Sequence, residues 1–274
     1  MALSINTNPT SLNAQRNLGN SQMKLSQNLA RLSSGLRINQ AADDAAGLGI
    51  SEKMRAQVRG LAQASRNAND GVSMIQVAEG AMNEQAGILT RLRELAVQSA
   101  NGTLGATERG YITTEATEAI SELDRISAVT DFNGVKMLGA NAGVQTMQVG
   151  TSSSANDQID ITFTQTDSAT LFGAAVNLGS AATSRTALDT IDTAISSLST
   201  SRAAVGASQN RLVVTMNNLS VAKENIASAE SRIRDVDVAE ETAAMTRNQI
   251  LSQAGVSVLA QANQLPSAAL KLLG

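Results

Sequence analysis

Apolar residues recur at every seventh position through the carboxyl half of the chain. Ile191, Leu198, Val205, Leu212, Leu219, Ile226 and Ile233 follow one another without a gap. Three residues after the first six stand Ala194, Ser201, Ser208, Thr215, Ala222 and Ala229. A strict seven-residue stripe marks a helix packed along its length, and small residues beside large ones let partner helices approach closely. At about 1.5 Å per residue the stripe predicts a helix of roughly 60 Å or more. Such a helix needs equally long partners, and the seven large residues are the expected core of a bundle.

The amino-terminal stretch supplies partners. Leu18, Leu25, Leu29, Leu32 and Leu36 are spaced by seven, four, three and four, an a/d seam. Gly35 marks a weak point, and Asp43-Asp44 then open a new helix. Met54, Val58, Leu61, Ala68, Val72, Ile75 and Met82 predict one long amphipathic helix. A further helix runs through Ile88, Leu89, Leu92 and Leu95 to Asn101-Gly102. Residues 103 to 110 read as a loop. Ile112, Ala116, Ala119, Leu123 and Ile126 form the next stripe. At the far end Leu251, Val258 and Leu265 are seven apart, and Leu270, Leu272 and Leu273 close the chain. Two weakly charged amphipathic ends are expected to bury each other, together with copies from neighbours.

Between residues 131 and 180 the pattern changes. Asn133-Gly134 lies between apolar residues, a hairpin signal. Ile159, Ile161 and Phe163 alternate with polar residues as in a half-buried strand, and residues 151 to 157 form a polar loop before it. The expected class is mainly α: long coiled-coil and helical-bundle shells built from both terminal segments, with a small β-hairpin insertion.

Composition narrows the chemistry. The chain has no His, Cys or Trp, and its aromatics are Tyr111, Phe132, Phe163 and Phe172. The commonest general acid/base and the usual zinc ligands are thus missing. Asp43-Asp44 and Glu240-Glu241 are adjacent pairs, which on a helix do not face each other; capping and solvation account for them. The glycines have no phosphate-loop spacing. No catalytic, cofactor or metal site is expected. A net charge of −3 gives no footprint for nucleic acid or an anionic membrane. No run of about eighteen apolar residues would span a bilayer, and the amino end lacks a secretory signal pattern.

Several stretches resemble bacterial flagellins. They are Met1 to Asn8 (MALSINTN), Leu32 to Asn39 (LSSGLRIN), Ala42 to Gly47 (ADDAAG), Leu92 to Asn101 (LRELAVQSAN), Phe132 to Leu138 (FNGVKML) and Ala254 to Pro266 (AGVSVLAQANQLP). The resemblance implies an inner coiled-coil domain from 1–42 with 236–274. It implies a bundle domain from 43–130 with 185–235, whose β-rich part is 131–184. Too few residues separate Leu138 from Leu188 for the outer domains of larger flagellins. The implied function is a secreted structural subunit that polymerises with itself into the extracellular filament used for swimming. Its ends would order on docking at the distal tip, after unfolded export without a cleaved signal. Self-assembly would run through the seams at Leu18, Leu25, Leu29, Leu32, Leu36, Leu251, Val258 and Leu265. Further implied partners are an export chaperone, the filament cap and the hook-junction proteins. Toll-like receptor 5 would meet the monomer at Arg91, Leu95 and Glu115. The alternative is a hook–filament junction protein, which shares the terminal motifs but does not polymerise.

Overall fold

The structure, a computed structural model, describes residues 7–173 and 175–271, with side chains as far as residue 264. The expected roles of Leu265, Leu270, Leu272 and Leu273, and most of the motif at 1–8, fall outside the described side chains.

Helix α1 spans Pro9–Ser34. Asn8 caps it by accepting the Ser11 N–H at 3.2 Å, and Pro9 at the first position needs no partner for an N–H. Gly35 ends it at φ 72°, donating its N–H to Arg31 O at 2.8 Å; only glycine takes this left-handed turn without strain. Asp44 opens α2 by accepting the Gly47 N–H at 2.8 Å.

Helix α2 is continuous over Ala45–Ser99, 55 residues. The two helices expected on either side of residues 82–88 are therefore one. Met82, Gln85, Leu89 and Leu92 make a single buried stripe. Gln85 breaks the apolar pattern but not the helix: its amide donates to Thr166 O at 3.2 Å inside the core.

Helix α3 spans Ala106–Val129, so the expected loop at 103–110 is shorter. Arg109, already helical, reaches back to Ser99 O at 3.1 Å and Asn101 O at 2.9 Å. It thereby satisfies carbonyls at the end of α2.

Strands β1 (Asp131–Phe132) and β2 (Val135–Lys136) pair antiparallel around Asn133 (φ 51°) and Gly134 (φ 82°). Two positive φ angles in a two-residue loop are what a tight hairpin requires. Strands β3 (Val144–Gln148) and β4 (Gln158–Thr162) pair antiparallel, with Met147 opposite Ile159. Ile159, Ile161 and Phe163 are buried, as their alternation predicts.

A short helix, α4 (Ser168–Phe172), was not expected within the β-rich part. Asp167 caps it, and the Asp124 carboxylate accepts both the Ser168 N–H at 2.7 Å and its hydroxyl at 2.8 Å. Helix α5 spans Ala181–Arg234 and α6 spans Val238–Lys271.

The chain divides into two compact units: Met1–Gln57 with Asn225–Gly274, and Val58–Glu224. The divisions fall inside α2 and α5. The boundary positions near 42 and 235 expected from the resemblance coincide instead with turns between helices.

The second unit holds the apolar core. Leu89, Leu92 and Leu95 of α2, Leu123 of α3, Ile161 of β4 and Ile191 of α5 are at most 1% exposed. Of the expected core stripe, Ile191, Leu198, Val205, Leu212 and Leu219 are buried. Ile226 and Ile233 are only half-buried and belong to the first unit. This corrects their assignment to the bundle core. A straight α-helix drifts by ~20° per heptad against a seven-residue repeat, so the stripe turns away from one face over its length.

In the first unit α1 and α6 run antiparallel. Asn8 donates to Ala262 O at 2.8 Å and Ser11 to Asn263 Oδ1 at 2.7 Å at one end; Asn28 meets Glu241 at the other. Where the chain leaves and re-enters this pair, Leu36 and Asp235 form an antiparallel bridge. The Arg37 N–H donates to Arg234 O at 2.7 Å and the Val236 N–H to Gly35 O at 3.1 Å. The Arg37 guanidinium caps Ile233 O at 2.6 Å.

Candidate assembly surface

The helix pair of the first unit buries little apolar surface. Among its described residues only Ile38 and Ala262 are buried apolar side chains, while Asn28, Ser51 and Glu241 are buried polar ones. The α1 positions turned inward are Ser11, Ala14, Leu18, Ser21, Leu25 and Asn28. Those of α6 are Glu241, Met245, Asn248, Ser252, Gly255, Leu259 and Ala262. Both sets alternate steps of three and four, the spacing of a coiled-coil seam. The seam is largely polar or small, which is why a search for large apolar residues missed most of it.

Other large apolar residues of the two helices lie off the seam. Leu12, Met23 and Leu29 of α1, and Ile250, Leu251, Val256 and Val258 of α6, are each at least 50% exposed. Of the seam residues expected from the sequence, Leu18, Leu25 and Leu32 are half-buried. Leu29 is 52% exposed, one step off the seam. Leu36 lies beyond α1, in the bridge to Asp235, so the helical seam does not extend to it. Leu251 and Val258 keep their seven-residue spacing but are 50% and 54% exposed, flanking the α1 contact instead of forming it. Half-exposed Leu, Ile, Val and Met side chains on two paired helices make this helix pair a candidate interaction surface.

Charge in the first unit gathers at the turn after α1. Asp43 accepts the N–H groups of Asn39 and Gln40, each at 3.1 Å, and the Gln27 amide at 2.9 Å. The Gln40 N–H, then that of Asn39, holds its carboxyl below the usual range, and Arg31 at 3.6 Å adds to this. Arg234 pairs with Glu52 at 2.6 Å, and that hydrogen bond lowers the Glu52 pKa.

In the second unit, surface ion pairs tie helix to helix. Arg93 of α2 meets Asp192 of α5 at 2.6 Å, and the Asp192 carboxyl is lowered chiefly by that hydrogen bond. A carboxyl lowered on folding contributes stability above its unfolded pKa and loses it as pH falls through the folded value. As pH falls below about 4, the usual aspartate value, the Arg93–Asp192 contribution should therefore fade. A calorimetric scan should show the melting temperature falling over that range, and falling less in Asp192→Asn. Solvent screening keeps the difference small.

Arg91, Leu95 and Glu115 are not equivalent. Arg91 is exposed and bonds Glu115 at 2.6 Å and Glu94 at 3.0 Å. Leu95 is 1% exposed within the core. As a direct receptor contact Leu95 is corrected: it supports the α2–α3 surface from beneath. Its position in the helical stripe three residues from Leu92 already carried that signal. Among the described residues there is no cluster able to hold a metal ion.

Comparison with known proteins identifies the family. The family model for the bacterial flagellin N-terminal helical region matches residues 5–143, and that for the C-terminal helical region matches 188–273. A flagellin of Halalkalibacterium halodurans is 46% identical, over 98% of this chain and 99% of its own length. The flagellar filament 33 kDa core protein of Treponema phagedenis is 44% identical over 98% and 99%. A flagellin of Salmonella muenchen is 50% identical over 68% of this chain but only 36% of its own length. Among solved structures, Bacillus cereus flagellin aligns at a TM-score of 0.51 and 31% identity, covering 60% of this chain and 94% of that one. A flagellar hook-associated protein of Vibrio parahaemolyticus shares the fold at 13% identity, with a TM-score of 0.59 over 70% of this chain. Two family models together span most of the sequence, and full-length relatives match it from end to end: the chain belongs to the bacterial flagellin family.

Proposed function

We propose that the half-exposed stripes of α1 and α6 are the surfaces through which copies of this chain polymerise. The protein is a structural subunit of the bacterial flagellar filament and not an enzyme. The observation that carries the assembly reading is in the first unit: the α1·α6 seam mixes Leu18, Leu25, Met245 and Leu259 with polar and small residues, while Leu251, Val258, Ile250 and Leu29 are left at least half exposed. One copy leaves those side chains wet. Neighbours related by a non-closing rotation would cover them and extend an open helical polymer.

The same reading carries the finer steps. The chain is secreted through the flagellar export channel, held until then by an export chaperone. It docks at the distal tip beneath the filament cap, above the hook-junction proteins. No helix among the described residues is long and apolar enough to cross a membrane. Monomer shed from the filament is recognised by Toll-like receptor 5 through the Arg91–Glu115 surface. The full-length match to the Halalkalibacterium flagellin supports a short subunit without outer domains.

The test is seeded growth. Monomer is mixed with short filament seeds and a precipitating salt and viewed by negative-stain electron microscopy, beside a chain lacking residues 238–274. Long filaments from the full chain and none from the shortened one are expected. A full-length chain that adds one layer to the seeds and stops would be a junction protein.

A further inference from the structure

We infer that the polar layer of Asn28, Asn248 and Glu241 selects which face α6 turns toward α1, and so keeps a second apolar stripe of α6 free for neighbouring copies. Asn28 is 8% exposed and Glu241 9%. The Asn28 amide donates to Glu241 Oε1 at 2.6 Å, and its oxygen accepts from the Asn248 amide at 3.0 Å. Arg31 faces Glu241 at 4.0 Å. Both halves of the Asn28 amide are thus engaged, each by a different turn of α6, and only this face of α6 supplies both partners.

Apolar burial alone does not choose between two faces of α6, because Met245 and Leu259 lie inward while Leu251 and Val258 lie on the flanking stripe. The inward stripe also carries Ser252 and Gly255. Rolling α6 about its axis by roughly 90° would turn the flanking stripe onto Leu18 and Leu25 of α1. That roll carries Asn248 and Glu241 away and strands the Asn28 amide in the seam without partners. A buried amide left unsatisfied is costly, and a buried asparagine in a helical seam discriminates between packings for this reason. Asn28 is therefore a positioning residue: it acts on assembly through the orientation of α6. Its importance for growth rests on the assembly surface proposed above.

The absence of native cysteine makes the orientation readable. A Cβ added at Gly255 would stand 3.6 Å from Leu18 Cβ, within the span of a disulfide. Full-length Leu18→Cys/Gly255→Cys reports the observed face, and Leu18→Cys/Val258→Cys reports the rolled one. In the parent background the first pair should close under mild oxidation and the second should not. Adding Asn28→Leu with Asn248→Leu should shift the ratio of closed pairs by roughly tenfold or more toward 18–258, and seeded growth should fall. Glu241→Gln keeps an acceptor for Asn28 and should retain the parent pattern.

A leucine variant that still closes only 18–255 overturns the inference. So does one that closes neither pair, because the layer would then hold the helices together without choosing a face. A shift to 18–258 with undiminished growth upholds face selection and counts against the stripe as the growth surface.

Discussion

Leu251→Asp combined with Val258→Asp is expected to abolish filament growth while leaving the monomer folded. Both side chains are at least half exposed in the single chain, so a polar replacement there should change monomer stability by about 0.5 kcal/mol or less. In the polymer the same positions would bury two unpaired carboxylates per subunit. Removing the partner of a buried charge typically costs 3–5 kcal/mol, so the critical concentration should rise by at least about a hundredfold. Sedimentation of polymer against total protein measures this, with a thermal melt of the monomer as control. Growth at the parent's critical concentration would remove these stripes from the assembly surface.

The second large effect separates support from contact in the α2–α3 surface. Leu95→Ala should destabilise the second unit by about 2–5 kcal/mol, the usual range for emptying a fully packed leucine site. Arg91→Ala should leave stability almost unchanged, because its pairs with Glu115 and Glu94 are exposed and screened by solvent. Urea unfolding distinguishes the two. In cells reporting Toll-like receptor 5 activation by monomer, Arg91→Ala should lose signal although the protein stays folded. Leu95→Ala should lose signal only as far as it unfolds. A fully signalling Arg91→Ala chain would move the receptor surface elsewhere.

Large-scale organisation was legible wherever large apolar residues set the period. The stripe from Ile191 to Leu219 gave the direction and burial of α5, and the Asn133-Gly134 dipeptide gave the hairpin. The unity of α2 was hidden because Gln85 occupies a core position, where its amide N–H donates to a carbonyl distant in sequence. Helix α4 was hidden because its stabilisers, Asp167 and the remote Asp124, are capping carboxylates that leave no periodic signal.

The assembly surface was half legible. The heptad of Leu251 and Val258 was visible, but its face was not. An apolar stripe in sequence shows that something packs there without telling whether the partner is the same copy or another. The seam within the same copy intersperses Leu18, Leu25, Met245 and Leu259 with Ser, Gly, Ala and Asn, which hydrophobic periodicity reveals only in part.

The most direct test of the account is a cryo-electron-microscopic reconstruction of filaments grown from this chain, at a resolution that shows side chains. The account predicts that Leu251, Val258 and Leu29 lie against helices of neighbouring subunits, with Asn28 still bonded to Asn248 and Glu241 of its own chain. A filament in which Leu251 and Val258 face water, and subunits meet only through the second unit, would contradict it.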